Sequence, residues 1–333
     1  MLLKFVKKII GMIIMDATIE LDKIKGCIVG AAVGDALGMP TEYLSETELN
    51  RSYNGRIVDF QAPLLSHPCG HLKAGQYTDD TQQLLLLVES LIDKEGFDIT
   101  DFGKRMGEWG YKCRTVPGYN RFAGGTSMSA ALDLYHGGNP LETGRNRPTC
   151  GSAMRVAPLG VFYSHLESTE LKSIASVVSK VTHTHPAAVD SSVFISLLVA
   201  NLYCGSDIEK AVDSSLKYLD SDLKEKLEYV ANNKSIKPLE MAKIIGCSES
   251  SYETVPMALH CFVHTEGNFE QTVIEAANLV PGDTDSIACI AGAIAGVYQG
   301  YSAIPNRLTQ NLEDIDYFQA LSLCFFDLKR KSL

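Results

Sequence analysis

The apolar residues of this chain recur mostly three or four positions apart, which is the spacing of an amphipathic or buried helix. Strand-like alternation is scarce, and residues 54–61 are its one weak hairpin candidate. The pattern predicts a single all-α domain with many helices, not a simple four-helix bundle. Besides two glycine-rich helices, it predicts helices over residues 81–94, 101–113, 126–138, 170–183, 187–205, 207–219, 222–233, 237–246, 255–265, 269–280 and 317–329.

Two predicted helices carry glycines at every fourth position, one over residues 21–38 and one after Ser286. Residues four apart lie near one face of a helix. A glycine inside a helix costs about 1 kcal/mol relative to alanine, so its repetition suits a helix that another backbone approaches closely. We therefore expect two buried central helices that pack near each other. The glycines are Gly26, Gly30, Gly34, Gly38, Gly292, Gly296 and Gly300.

Two loops place paired acids and a hydroxyl directly before an apolar helix. Residues 78–80 read Thr-Asp-Asp, and residues 283–286 read Asp-Thr-Asp-Ser. Acids at a helix start are favoured by about 0.3–1 kcal/mol each, so simple helix capping is one interpretation. If the loops meet, two carboxylates about 4 Å apart repel by roughly 4 kcal/mol at an effective dielectric of 20. Oxygen-only ligands would then suit a two-metal site of Mg²⁺, Mn²⁺ or Ca²⁺.

A third acid and the overall composition extend this picture. Glu42 follows the first glycine helix, either as a surface glutamate or as a base beside the metals. The 333 residues are 45% apolar and 21% charged, which is typical of a globular protein. The net charge of −10 disfavours general nucleic-acid binding, although glycine-rich loops or helix starts can still hold a small anion. Nine scattered cysteines without a C-x-x-C pair indicate reduced thiols and a cytoplasmic protein.

The N-terminus is the one segment that suggests a separate unit. Residues 1–20 combine lysines with a short apolar stretch, as a signal peptide would, but no cleavage-type site follows. We interpret residues 1–20 as an N-terminal extension and residues 21–333 as the domain. No other segment approaches the roughly 20 apolar residues of a membrane span, so no membrane partner is expected.

Five motifs occur in order along nearly the whole chain: GCIVGAAVGDALGMPTEY, YTDDTQQ, CGSAMRVAPLG, THTHP and GDTDSIACIAGAIAGVYQG. Together they resemble the ADP-ribosylglycohydrolase family, which includes the dinitrogenase-reductase-activating glycohydrolase and the ADP-ribosylarginine and ADP-ribosylserine hydrolases. The resemblance implies an all-α, orthogonally packed fold with a binuclear Mg²⁺ or Mn²⁺ centre. It also implies hydrolysis of the bond between C1″ of ADP-ribose and a modified macromolecule, with protein arginine as the expected target.

The resemblance also assigns roles to residues of this chain. It implies metal ligation by Thr78, Asp79, Asp80, Asp283, Asp285 and Ser286. It implies catalytic roles for Glu42, Asp80 and Asp285. Contacts with ADP-ribose are expected from Gly124, Gly125, Thr126, Gly151, Ser152, Met154, Arg155 and His183.

Three residues depart from the family pattern. Cys150 stands where many members have asparagine, Pro281 replaces a glycine, and Phe122 stands where some bacterial members carry an aspartate. If that aspartate assists the opening of an arginine-linked ribose, this protein must manage otherwise or prefer another linkage. A non-catalytic ADP-ribose-binding relative and a metal-dependent nucleotide phosphohydrolase therefore stay open as alternatives.

Other polar residues receive structural interpretations. His183 and His185 lack the spacing of a zinc site, and His260 and His264 lack the glutamate of a zinc-protease motif. Asp35, inside the first glycine helix, is expected to support the metal site without ligating.

Overall fold

The computed structural model describes the backbone of residues 2–331 and the side chains from residue 17 onward. Within these residues the elements are sixteen α-helices and three short 3₁₀ turns, without a strand. The helices are α1 (Leu2–Gly38), α2 (Glu46–Tyr53), α3 (Asp79–Asp93), α4 (Ile99–Thr115), α5 (Gly125–Tyr135), α6 (Ala157–Phe162), α7 (Ser168–Lys180), α8 (Pro186–Tyr203), α9 (Ile208–Leu216), α10 (Leu223–Asn232), α11 (Pro238–Ile245), α12 (Ser251–His264), α13 (Phe269–Ala277), α14 (Thr284–Gln299), α15 (Asn306–Thr309) and α16 (Ile315–Lys331). The predicted all-α class is confirmed.

Every helix predicted from the apolar pattern has a counterpart, and the ends agree within a few residues except at the start of α1, which begins at Leu2 and not at residue 21. The short helices α2, α6 and α15 were not predicted. The hairpin candidate at residues 54–61 is wrong. Asn54 ends α2 in a left-handed conformation, with φ of 56°. Ile57 then exchanges two hydrogen bonds of 2.8 Å with the side-chain amide of Asn278, which takes the place of a partner strand.

The centre of the fold is an antiparallel pair of helices, in which the C-terminal part of α1 is in close contact with α14. A Cβ atom built on Gly34 would lie 1.9 Å from the carbonyl oxygen of Ala288, and one on Gly38 would lie 2.3 Å from that of Thr284. Gly26 faces Gly296 and Gly30 faces Gly292 in the same register. Only glycine permits this approach, so the prediction of two glycine helices in contact is confirmed.

This register places the C-terminus of α1 against the N-terminus of α14. The Thr284 hydroxyl donates a hydrogen bond of 2.9 Å to the carbonyl of Gly38, the last residue of α1. The Thr41 hydroxyl, three residues later, donates one of 2.6 Å to the carbonyl of Ala277. Glu42 therefore follows α1 directly beside the loop that leads into α14.

The remaining helices bury this pair: α14 also packs against α8, α12 and α13, and α1 against α16. Among the residues that the structure describes, one helix, Pro186–Tyr203, is long and apolar enough for a membrane span, and 72% of it is buried inside the protein. The predicted extension at residues 1–20 lies partly outside the described side chains, and its boundary stays a prediction. Residues 332–333 are also outside the described part of the chain.

Candidate active site

A buried aspartate of α1 fixes the start of α3. Asp35 is fully buried and accepts hydrogen bonds from the backbone N–H groups of Thr78 at 2.9 Å and Thr81 at 3.0 Å. It also accepts one from the Thr81 hydroxyl at 2.5 Å. These bonds hold the turn that presents Asp79 and Asp80, the first two residues of α3. Asp35 thus supports the acidic loop, as expected from the sequence.

The second acidic loop meets Glu42 at the start of α14. One carboxylate oxygen each from Glu42, Asp283 and Asp285 lies within 4.8 Å of the other two. All three residues are buried. The contact between α1 and α14 brings these acids together, and they could hold a metal ion.

We call Glu42, Asp79, Asp80, Asp283 and Asp285 the acidic cluster. Burial and mutual repulsion disfavour the ionised form of these carboxyl groups and of the neighbouring Asp35. Burial, followed by the charge of Asp285, raises the pKa of Asp79 to about 8 and that of Asp35 to about 7. The same causes, burial first, hold the pKa values of Glu42 and Asp80 well above their usual range. The pKa of Asp285 is also raised well above its usual range, by burial and then by the charge of Asp283. Without a cation, the cluster therefore retains protons near neutral pH.

Two buried oxygens of the cluster lack a hydrogen-bond partner, Oε2 of Glu42 and Oδ2 of Asp80. A buried carboxylate oxygen without a partner is costly unless a positive charge faces it. The available ligands are oxygens, which suit Mg²⁺ or Mn²⁺ better than zinc. The residues present therefore fit divalent cations.

The acids line one end of a cavity of about 800 Å³. Segments that are far apart in the sequence supply its walls. The sequence-predicted residues that line it are Glu42, Asp79, Asp80, Gly124, Gly125, Thr126, Gly151, Met154, His183, Asp283, Asp285 and Ser286. The structure thus brings together most of the residues to which the family resemblance assigns a role.

Glycine occurs at the cavity wall for two different structural reasons. A Cβ atom on Gly124 or Gly125 would meet nothing within 4 Å, so packing does not require glycine at the start of α5. Their bare backbone faces the cavity, where a ligand can approach it. A Cβ atom on Gly151 would lie 2.8 Å from the Ser127 hydroxyl and 3.0 Å from the His183 ring, so this glycine makes room for the imidazole.

Arg155 corrects one prediction, because it does not reach the cavity that it was expected to line. It is fully buried and donates hydrogen bonds of 2.6 Å to Oε1 of Gln83 and 2.6 Å to the Thr182 hydroxyl. Gln83 in turn donates one of 2.7 Å to Asp79. Burial lowers the pKa of Arg155 to about 9, and the charge of Asp79 opposes that shift. Arg155 therefore holds the amide that orients Asp79.

The same chain of hydrogen bonds continues to His183. Arg155 can only donate, so the Thr182 hydroxyl accepts from it and is able to give its own proton to Nδ1 of His183, 2.7 Å away. In that arrangement, Nε2 donates to the Thr149 hydroxyl at 2.9 Å. Burial, and then the charge of Arg155, lowers the pKa of His183 to about 3, so the ring is neutral. Both ring nitrogens have protein partners, and Thr149 and His183 both line the cavity.

Two further predicted residues lie behind the cavity wall. Ser152, expected in the substrate cleft, is fully buried and bonds the carbonyl of Ala188 at 3.2 Å and the hydroxyls of Ser179 and Ser192 at 3.0 Å. We correct its placement accordingly. Thr78 is also fully buried and caps α3 by accepting from the backbone of Asp80, so its role as a metal ligand stays a prediction.

Several residues at the cavity were not anticipated. Tyr43 and Glu249 line its wall near the acids, and Arg147 lines it as an exposed cation. Cys150 donates to Asp283 at 3.2 Å, so it contacts the acidic cluster directly. His67 is buried with Nε2 3.8 Å from Oε2 of Glu42. Tyr43 follows Glu42 in sequence and Cys150 opens the CGSAMRVAPLG motif, so both carried a usable signal. Glu249, Arg147 and His67 belong to none of the five motifs.

The three other histidines considered from the sequence have structural roles, as expected. His185 accepts from the backbone of Ala187 at 3.2 Å and caps α8. His260 and His264 stack with ring centroids 5.8 Å apart, and each bonds backbone carbonyls between α10 and α11. None of the three lines the cavity.

Comparison with known proteins agrees with this architecture. The model of the ADP-ribosylglycohydrolase family matches residues 15–332. A solved structure described as an ADP-ribosylglycohydrolase-related protein complex superposes with a TM-score of 0.75 and 27% identity, covering 93% of this chain and 99% of that one.

Three relatives show the range of similar sequences. An uncharacterized protein of Archaeoglobus fulgidus is 37% identical over 92% of this chain and 97% of its own length. ADP-ribosylarginine hydrolase Tri1 of Serratia proteamaculans is 31% identical over 86% of this chain and 74% of its own. ADP-ribosylhydrolase ARH3 of Homo sapiens is 26% identical over 94% and 95%.

Proposed function

The chain belongs to the ADP-ribosylglycohydrolase family and is a hydrolase, and from this premise we propose that it releases ADP-ribose from ADP-ribosylated protein arginine. We further propose that the reaction requires two Mg²⁺ or Mn²⁺ ions. The observation that carries the proposal is the meeting of Glu42, which follows α1, with the acids at the starts of α3 and α14 in one cavity, where Glu42 and Asp80 have unpartnered oxygens. Similarity to a relative named for ADP-ribosylarginine supports the choice of target.

Asp79, Asp80, Asp283, Asp285 and Ser286 are the residues that would hold the cations. When bound, the cations would neutralise the carboxylates, bind ribose hydroxyls and lower the pKa of a water molecule. Without the cations, the acidic cluster would retain protons near neutral pH, because the pKa of Asp79 is about 8.

Glu42 is suited to accept a proton from the attacking water, because its Oε2 has no hydrogen-bond partner and one of its carboxylate oxygens lies within 4.8 Å of those of Asp283 and Asp285. In the overall reaction the water oxygen forms a bond to C1″ and the bond from C1″ to the guanidine nitrogen breaks. The departing nitrogen takes up a proton, so one water is consumed. The negative charges of Asp80 and Asp285 favour the positive charge that develops at C1″.

The negatively charged diphosphate of ADP-ribose needs a binding place away from the acids, and the start of α5 is suited to provide it. Gly124 and Gly125 leave their backbone uncovered, and Thr126 follows them at the cavity surface. A helix N-terminus and bare backbone N–H groups bind anions without a large basic patch. Arg147, exposed at the same cavity, adds one positive charge. This arrangement supports ADP-ribose as the ligand of an acidic protein.

The test is a substrate panel under controlled metal. Chelator-treated protein is incubated with ADP-ribosylated arginine, ADP-ribosylated serine or ADP-ribosylated nucleic acid, with and without Mg²⁺, and free ADP-ribose is measured. Asp79→Asn and Asp285→Asn should abolish release, whereas Asp213→Asn, on the exposed face of α9, serves as the matched control and should not.

Each alternative gives a different result in this panel. Tight binding of ADP-ribose without turnover of any substrate would identify a non-catalytic binding protein. Release of phosphate with the glycosidic bond intact would identify a phosphohydrolase. We also propose a cytoplasmic location, which the nine unpaired cysteines support and cell fractionation would check.

A further inference from the structure

Two aromatic residues at the mouth of the cavity have an unusual backbone conformation. Tyr43 has φ of 55° and Phe122 has φ of 69°. Of the non-glycine residues with positive φ in the described chain, these two alone are aromatic. Bulky side chains rarely adopt this region, and such outliers concentrate at sites where the conformation serves a function. Both residues line the same cavity, so their shared strain points to that cavity.

The two rings form one surface and are also exposed. Their centroids are 6.3 Å apart at an interplanar angle of 88°, so they touch edge to face. Tyr43 is 47% exposed and Phe122 is 39% exposed, so neither conformation is compensated by burial in the core. We call this pair, Tyr43 and Phe122, the aromatic rim.

The surrounding structure holds the rim in place. The backbone N–H of Tyr43 donates a hydrogen bond of 2.9 Å to the carbonyl of Gly282, in the loop that carries the α14 acids. Before Phe122, Arg121 donates to the carbonyl of Tyr77 at 2.8 Å and pairs with Glu313. The strained conformations are therefore imposed by contacts on both sides and are not loose loop ends.

The charges near the rim are negative. Glu42 precedes Tyr43, and the carboxylate of Glu249 lies 3.4 Å from the Tyr43 hydroxyl. The neighbouring cation, Arg121, is already paired with Glu313. Aromatic faces flanked by carboxylates attract a planar cation, and guanidinium is the cation that stacks best on such faces. A neutral serine-linked group would gain much less from this surface.

The position of the rim matches the leaving group. If the ribose hydroxyls are held by the acidic cluster, as the proposed function requires, C1″ and the group attached to it lie beside Glu42 and its neighbour Tyr43. We propose that Tyr43 and Phe122 form the subsite for the guanidinium group of ADP-ribosylated arginine and determine preference for arginine-linked over serine-linked ADP-ribose. This inference rests on the proposed hydrolase function of the same cavity.

The test compares kcat/KM for an ADP-ribosylarginine peptide and an ADP-ribosylserine peptide, with Mg²⁺ present. Phe122→Asn removes the ring and tolerates a positive φ, so the variant should fold at least as well as the parent. We expect kcat/KM for the arginine peptide to fall about tenfold and that for the serine peptide to change less than about twofold. Inhibition by ADP-ribose should be unchanged. Tyr229→Asn, at an exposed aromatic residue on α10 outside the cavity, is the matched control.

The outcomes separate the inference from the function. Equal losses on both peptides, or no loss on either, would overturn the guanidinium subsite alone. A preference of the parent protein for serine would overturn the subsite and the choice of arginine as the target, but not the hydrolysis of ADP-ribose linkages. Release of ADP-ribose from neither peptide by the folded parent protein would overturn the proposed function and the subsite with it.

Discussion

Replacing Asp285 by asparagine should stabilise the protein without a divalent cation, and a bound cation should cancel that advantage over the parent. The carboxylate oxygens of Asp285, Asp283 and Glu42 lie within 4.8 Å of one another. Asparagine keeps the shape of the side chain and an acceptor oxygen for the backbone N–H of Ser286, which now donates to Asp285 at 2.9 Å. The substitution therefore removes a charge with little change in packing.

The magnitude follows from the separation. Two unit charges 4.8 Å apart interact by about 3.5 kcal/mol at an effective dielectric of 20. Proton uptake relieves part of this repulsion, since burial and neighbouring charge raise the pKa of Asp79 to about 8. At pH 8 in chelator, the variant should therefore be more stable by about 2–3 kcal/mol, which raises Tm by about 5 °C. A cation at a hundred times its Kd would stabilise the parent by about 2.7 kcal/mol and the variant hardly at all.

The assay is thermal unfolding at pH 8 in chelator and in Mg²⁺, with hydrolysis measured on the same samples. Asp213→Asn removes an exposed carboxylate from α9 and should shift neither Tm nor the response to Mg²⁺. A Tm of Asp285→Asn below that of the parent in chelator would refute the reasoning that these carboxylates repel one another and are stabilised by a bound cation. An increase in the variant's Tm with Mg²⁺ as large as that of the parent would refute it too.

Three further predictions concern the helix pair, the titration of the cluster and the buried arginine. Gly34→Ala should lower the free energy of unfolding, measured in urea, by about 3 kcal/mol or more, because its Cβ would lie 1.9 Å from a carbonyl of α14. Gly125→Ala, where a Cβ has open space, should change it by less than about 0.5 kcal/mol. Similar values for both variants would argue against the close helix contact. In chelator, Tm should fall as pH rises from 5 to 8, because the pKa values of Asp35 and Asp79 in the folded protein, about 7 and 8, exceed those in the unfolded chain. The folded protein therefore binds more protons than the unfolded chain until the pH exceeds these folded-state pKa values. A Tm that stays constant or rises over this range contradicts the prediction. Arg155→Met should lower the free energy of unfolding, measured in urea, by about 2–4 kcal/mol and remove most of the activity, because Gln83 and Thr182 lose their buried donor. Full activity of the variant would exclude a role of Arg155 in orienting Asp79.

The sequence was most informative where a local pattern has a single physical solution. Glycine at every fourth position implies a close backbone contact, and the structure shows Gly34 against α14. Paired acids before apolar helices favoured convergence in a buried place, although helix capping alone would also explain each pair. The antiparallel register of α1 and α14, which places Glu42 beside Asp285, could not be read from either segment alone.

Other features depended on long-range contacts that leave no pattern. Arg155 points away from the cavity because Gln83 and Thr182 accept from it, although its neighbour Met154 lines the wall. Asn278 completes the hydrogen bonds of Ile57, so an alternating stretch formed no strand. In both cases the deciding partner lies dozens to hundreds of residues away in the chain.

The central claim is that the acids of α3 and α14 share divalent cations in one cavity. Anomalous diffraction from crystals grown in Mn²⁺ tests it most directly. The account predicts anomalous peaks roughly 2.0–2.6 Å from carboxylate oxygens of both Asp79 or Asp80 and Asp283 or Asp285. Carboxylates of Asp79 and Asp285 that lie far apart in solvent, each only capping its own helix and with no peak between them, would contradict it.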